Sequence, residues 1–86
     1  MVHLFSFGFE MNESKELKKI GNTLKKLRIK KGFTSYEKFA VEFELSRMHY
    51  WRIEEGKTNI TIRSLIAILD IHKITLEKFF SEAVEE

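Results

Sequence analysis

From about Glu13 to Lys31, Leu17, Ile20, Leu24 and Leu27 recur every three or four residues, with lysines filling the positions between them. That period predicts an amphipathic helix with one apolar stripe. Gly32 ends it, just after Lys30 and Lys31, cations that suit a helix C-terminus. A second helix opens at "TSYE", where Thr34 and Glu37 have capping-box spacing. Tyr36, Phe39, Ala40 and Phe43 then repeat at helical intervals. Ser46 as N-cap and Gly56 just past the end bracket a third helix. Only "FEL" separates the second from the third, which forces a sharp angle between them. Thr61 caps a fourth helix, "IRSLIAIL", that ends between Asp70 and Lys73. Thr75 caps a fifth, with Leu76, Phe79, Phe80 and Ala83 on one side.

The N-terminal "VHLFSFGFE" breaks this pattern. Phe5, Phe7 and Phe9 alternate with Ser6 and Gly8, a strand period found nowhere else in the chain. A lone strand cannot satisfy its backbone groups. One reading pairs it antiparallel with its own copy across a two-fold axis. The plainer reading makes residues 1–10 an extension ahead of a natural start at Met11. Dimer contacts from the fifth helix, through Phe79, Phe80 and Val84, are a further alternative. The chain divides accordingly into an N-terminal extension, residues 1–12, and one helical domain, residues 13–86. The expected fold class is all-α.

With 86 residues, 43% of them apolar, the chain has material for one small core, and a second copy would add buried area. It contains no cysteine, which removes disulfides and thiolate metal sites and suits a reducing cytoplasm. No apolar run approaches the roughly 18 residues needed to span a bilayer. "MVHLFSFGF" lacks the basic region and cleavage site of a signal peptide. The net charge of +2 conceals an uneven distribution: residues 15–31 hold eight Lys or Arg against one Glu, and "SEAVEE" holds only acids. A basic helix attracts phosphate polymers, although solubility alone is the plainer account of such a run.

Enzyme chemistry finds no support. There is no Gly-x-Ser-x-Gly, no phosphate loop and no plausible Ser-His-Asp set. His3, His49 and His72 are scattered without metal-ligand spacing, so neither metal nor cofactor is expected. The spacing of Phe39, Phe43, Phe79 and Phe80 fits core packing better than a cofactor pocket.

The third segment, "ELSRMHYWRIEEG", does carry a signal. On a helical wheel Tyr50 and Ile53 share one face, with His49 at its edge. Arg47, Met48, Trp51, Arg52 and Glu55 share the other. A core would want the first face; solvent alone does not call for the second. An α-helix fits the DNA major groove, where arginine pairs bidentately with guanine and apolar side chains touch thymine methyls. A short helix, a tight turn and a second, base-reading helix make a helix-turn-helix.

At this point the sequence resembles the Cro and phage-repressor type, or XRE, family of helix-turn-helix proteins. The landmarks are Gly21, Leu24, Leu27, Arg28, Gly32, Ala40, Leu45, Ser46, Tyr50, Ile53, Glu54, Gly56 and Leu65, spread over roughly residues 17 to 80. The resemblance implies a five-helix, lambda-repressor-like domain. It also implies an ion pair between Arg28 and Glu54, and base contacts from Arg47, Met48 and Arg52. Two positions depart from the pattern. Glu44 stands where glycine is usual in the turn, and a left-handed non-glycine residue costs on the order of 1–2 kcal/mol. Ile60 stands where proline is frequent.

The expected function is a sequence-specific regulator, a repressor or autoregulator, that binds double-stranded DNA at a palindromic site as a homodimer. Base contacts are expected from Arg47, Met48, Trp51 and Arg52, although Trp51 suits a core edge or a partner interface as well. Phosphate contacts are expected from Ser35, Tyr36, Ser46, His49, Lys57, Thr58, Asn59 and Arg63, at helix N-termini and in the loop after the third helix. Two alternatives use the same fold: an antitoxin of a toxin–antitoxin pair, and a protein-interaction module that does not bind DNA.

Overall fold

The computed structural model describes residues 12–84. The strand expected within residues 1–10 lies outside them. The described residues form five helices and no strand: α1 (Glu13–Lys30), α2 (Tyr36–Glu42), α3 (Arg47–Glu54), α4 (Ile62–His72) and α5 (Leu76–Val84). A side-chain oxygen fixes each start by accepting a backbone N–H three residues on. The pairs are Asn12 with Lys15, Ser35 with Lys38, Ser46 with His49 and Thr61 with Ser64. Thr75 does the same for Lys78. Each satisfies a donor that the first turn would otherwise leave without a partner.

One cap differs from expectation. Ser35, not Thr34, caps α2. The helix begins one residue later than the capping-box spacing implies, on the residue type that ranks higher at this position. Glu37 therefore cannot close the box; it accepts instead from the Ser35 hydroxyl at 3.4 Å.

The turn between α2 and α3 keeps its shape without glycine. Glu44 sits there with φ 58°. Phe43 N–H reaches back to Phe39, and Leu45 N–H donates to Ala40 at 2.7 Å. The chain carries a left-handed glutamate here, held by these bonds on either side.

The core gathers the predicted stripes. Leu24 of α1, Phe39 and Ala40 of α2, Tyr50 and Ile53 of α3, Leu65, Ile68 and Leu69 of α4, and Phe79 and Ala83 of α5 are all buried. Phe79, read from the sequence as a candidate dimer contact, is fully enclosed and belongs to this core, whereas its neighbour Phe80 is exposed. The difference is helical phase, since adjacent residues point about 100° apart. Phe39 is the hub. Its ring lies 5.1 Å from that of Tyr50, 5.0 Å from Phe43 and 5.4 Å from Phe33. The Tyr50 contact joins α2 to α3, and the Phe33 contact ties the preceding loop to α2.

His72 extends the stack. Its imidazole lies parallel to Phe39 at 5.4 Å and 8°. Its Nε2 is buried without a hydrogen-bond partner. Burial first, and the Lys31 cation second, hold its pKa below the ordinary histidine value of 6.5. The fold thus favours the neutral ring. The linked stability is complete above the unfolded value and is lost as pH falls below it. A thermal melt should show the melting temperature falling as the pH drops below about 6.5, and falling less in His72→Asn. An equal fall in both chains would place the effect elsewhere.

Candidate nucleic-acid interface

α3 is a helix with two unlike faces. Its inner face is fixed by Tyr50, 1% exposed, and Ile53, 3% exposed. Its outer face presents Arg47, Met48, Arg52 and Glu55 to solvent, with Trp51 half-buried among them. Met48 is 57% exposed on this face. The sequence reading placed these side chains on one face, and the structure does bring them together.

Behind this face α3 is anchored to α1 in two ways. Gly21 lets the helices approach until a Cβ there would overlap the carbonyl oxygens of Glu54 and Ile53. Arg28 then closes the contact. Its Nε donates to Glu54 Oε2 at 2.8 Å and its Nη2 to Glu54 Oε1 at 3.1 Å, while Nη1 donates to the Phe33 carbonyl at 2.8 Å. Both side chains of this bidentate pair are almost wholly enclosed. The bonds to Glu54 raise the Arg28 pKa, so the guanidinium stays charged. Burial, and after it the neighbouring Glu54, pushes the Tyr50 phenol far above its usual value, and it stays neutral. The result is a bolt joining the end of α1, the start of the next loop and the end of α3.

Around this outer face lie the residues expected to touch phosphates. Tyr36, Glu37, Ser46, Arg47 and Met48 line an open groove where the N-termini of α2 and α3 converge. Ser35 and Ser46 are occupied as caps; His49 projects into solvent beside Ser46. Lys57, Thr58 and Asn59 follow α3, and the Asn59 amide donates to Glu13 at 3.2 Å, joining this loop to the start of α1. Arg63 is exposed in the first turn of α4. Sequence reasoning passed over Lys18. Its stem packs against Gly56, leaving no room for a Cβ there, so it borders the same loop. The signal was present in the left-handed glycine, but only the approach of α1 reveals its neighbour.

Among the described residues, no group of three or more His, Cys, Asp or Glu is placed to hold a metal ion, and no helix is long and apolar enough to cross a membrane.

Comparison with known proteins settles the family. A profile described as Helix-turn-helix matches residues 24–79. The chain belongs to this helix-turn-helix family. It is 41% identical to Control protein C.MunI of Mycoplasma sp over 68 residues, covering 79% of this chain and 92% of that protein. It is 46% identical to Plasmid copy control protein CopR of Streptococcus agalactiae over 54 residues, covering 63% of this chain and 55% of that protein. The chain thus spans about half the length of CopR but nearly all of C.MunI. The crystal structure of the wild-type Restriction-Modification Controller Protein C.Esp1396I superimposes with a TM-score of 0.69 at 30% identity, over 81% of this chain and 88% of that one. A point mutant of the same controller superimposes with a TM-score of 0.70, also at 30% identity, over 81% of this chain and 87% of that one.

Proposed function

We propose that this helix-turn-helix protein is a sequence-specific DNA-binding transcriptional regulator, a repressor or autoregulator, with a regulatory rather than an enzymatic role. The observation that carries this is the outer face of α3. Two arginines and an exposed methionine stand on a helix whose back is locked to α1 and α2. Arg47, Met48 and Arg52 read base edges in the major groove of double-stranded DNA. Ser35, Tyr36, Ser46, His49, Lys57, Thr58, Asn59 and Arg63 position the backbone without reading sequence.

The kinship with control and copy-control proteins supports a regulator. The reading extends to a cytoplasmic homodimer on a palindromic site, since a two-fold pair would present two copies of α3 to matching half-sites. Ile62 and Ile66, one turn apart on α4, and Phe80 on α5 are large exposed apolar side chains that a second copy would cover. Sedimentation of the Ile66→Asp chain as a monomer, against a dimer for the unaltered chain, checks this. A dimer in both would place the contact elsewhere.

The same fold could serve as a protein-interaction module, and Glu55 beside the reading face favours that second reading. Selection of bound DNA from a random library separates the two. On the selected site, Arg47→Ala and Arg52→Ala should each lose roughly 1–3 kcal/mol and relax the base preference, whereas Lys57→Ala weakens all sequences about equally. Full affinity and preference in both arginine variants would refute the proposed reading face.

A further inference from the structure

We propose that Trp51 acts as a positioning residue for Lys57 instead of reading bases: its indole face holds the ammonium where a DNA phosphate meets it. This rests on the DNA-binding reading above and reassigns one residue within it.

Trp51 is the odd member of its face. Arg47, Met48, Arg52 and Glu55 are exposed, whereas Trp51 is half-covered. Lys57 contributes to the cover, its Nζ standing 5.9 Å from the ring centroid. The backbone places it there. α3 ends in a paired-bond glycine motif: Gly56, with φ 71°, donates to the Ile53 carbonyl at 3.1 Å, and Lys57 donates to the Arg52 carbonyl at 2.9 Å. This is the Schellman arrangement, which sets the side chain two residues beyond the cap against the third or fourth residue from the helix end. An apolar contact is usual at that point. Here the partners are a lysine and a tryptophan, so a cation–π contact replaces it.

The motif is also held from behind. A Cβ on Gly56 would come within 2.7 Å of Lys18 Cγ, so the turn is seated on α1 and cannot shift without moving it. A lysine stem is otherwise free to adopt many rotamers and loses that freedom on gripping a phosphate. Resting on the indole, Lys57 is ordered before DNA arrives, which lowers the cost of binding.

The first test uses the free protein. Trp51 is the sole tryptophan, so the emission of the chain reports on this one ring. Lys57→Gln should alter that emission and open the ring to a neutral quencher such as acrylamide. An unchanged spectrum and unchanged quenching would overturn the proposal without any DNA.

The second test is a double-mutant cycle on the selected DNA site. Trp51→Leu should lose about two- to five-fold in affinity, and Trp51→Phe, which keeps an aromatic face, should recover most of it. Lys57→Gln should lower the slope of log affinity against log salt by about 0.9. Adding Trp51→Leu to Lys57→Gln should cost nothing more. The proposal is overturned if Trp51→Leu costs the same factor in the Lys57→Gln background, if it changes the preference among single-base-pair variants of the site, or if Trp51→Phe behaves like Trp51→Leu. An unaltered chain that binds no DNA would remove the regulator reading and this assignment together. Tight binding with an additive cycle would remove this assignment alone.

Discussion

Glu54→Gln is expected to lower the melting temperature by on the order of 12 °C or more. The carboxylate takes two short bonds from Arg28 in an enclosed setting, and the substitution leaves that guanidinium charged and buried without its counter-ion. Breaking a buried pair from one side costs about 3–5 kcal/mol. A domain of this size shifts by roughly 4–8 °C for each kcal/mol. Arg28 cannot escape by losing its proton, since a guanidinium is too basic to be deprotonated within a protein. Arg28→Met combined with Glu54→Leu should recover much of the loss, because replacing both partners removes the stranded charge. It will not recover all of it, since the Phe33 carbonyl also loses its donor. A thermal melt followed by circular dichroism reads the result. A curve unchanged in Glu54→Gln would place both groups in solvent.

Gly21→Ala should destabilise the fold although alanine is the better helix former. Alanine in mid-helix gains up to about 1 kcal/mol over glycine. Here the added methyl would meet the Glu54 and Ile53 carbonyls, backbone atoms that cannot swing aside. Overpacking of this kind costs typically about 1–3 kcal/mol, and pushing α1 off α3 also strains the Arg28–Glu54 bonds. The net loss should exceed the propensity gain. Asn22→Ala is the control: it makes a comparable helix-favouring change one residue along, on the exposed side of α1. Denaturant unfolding should show Asn22→Ala neutral or slightly stabilised and Gly21→Ala clearly weakened. Equal stability in the two would mean that α1 and α3 do not approach so closely.

Both predictions concern a contact that the sequence announced only in part. The helices were legible because Leu24, Phe39, Tyr50, Ile53, Leu65 and Phe79 fall on clean helical phases, and because Ser46, Thr61 and Thr75 are capping residues. The exposed outer face of α3 was legible because a short helix cannot bury Arg47, Met48 and Arg52 along with Tyr50 and Ile53. What escaped depends on tertiary proximity. Thr34 and Ser35 are both good caps, and only the packed chain chooses between them. Lys18 meets Gly56 across 38 positions, a juxtaposition with no local pattern to mark it. The half-cover on Trp51 arises from a backbone turn whose left-handed glycine was visible but whose next side chain could not be aimed. Phe79 and Phe80 are neighbours of one type, and their opposite fates follow from a phase that the wheel gives only to within one residue.

This helix-turn-helix chain is proposed to grip DNA through the outer face of α3 and the cations around it. The direct test is the equilibrium affinity of the unaltered chain for its selected site, measured against salt concentration and against a scrambled duplex of equal length. The expected result is preference for the selected site and a linear fall of log affinity with log salt, at a slope of about −0.9 for each phosphate neutralised. Equal affinity for both duplexes, or an affinity indifferent to salt, would contradict it.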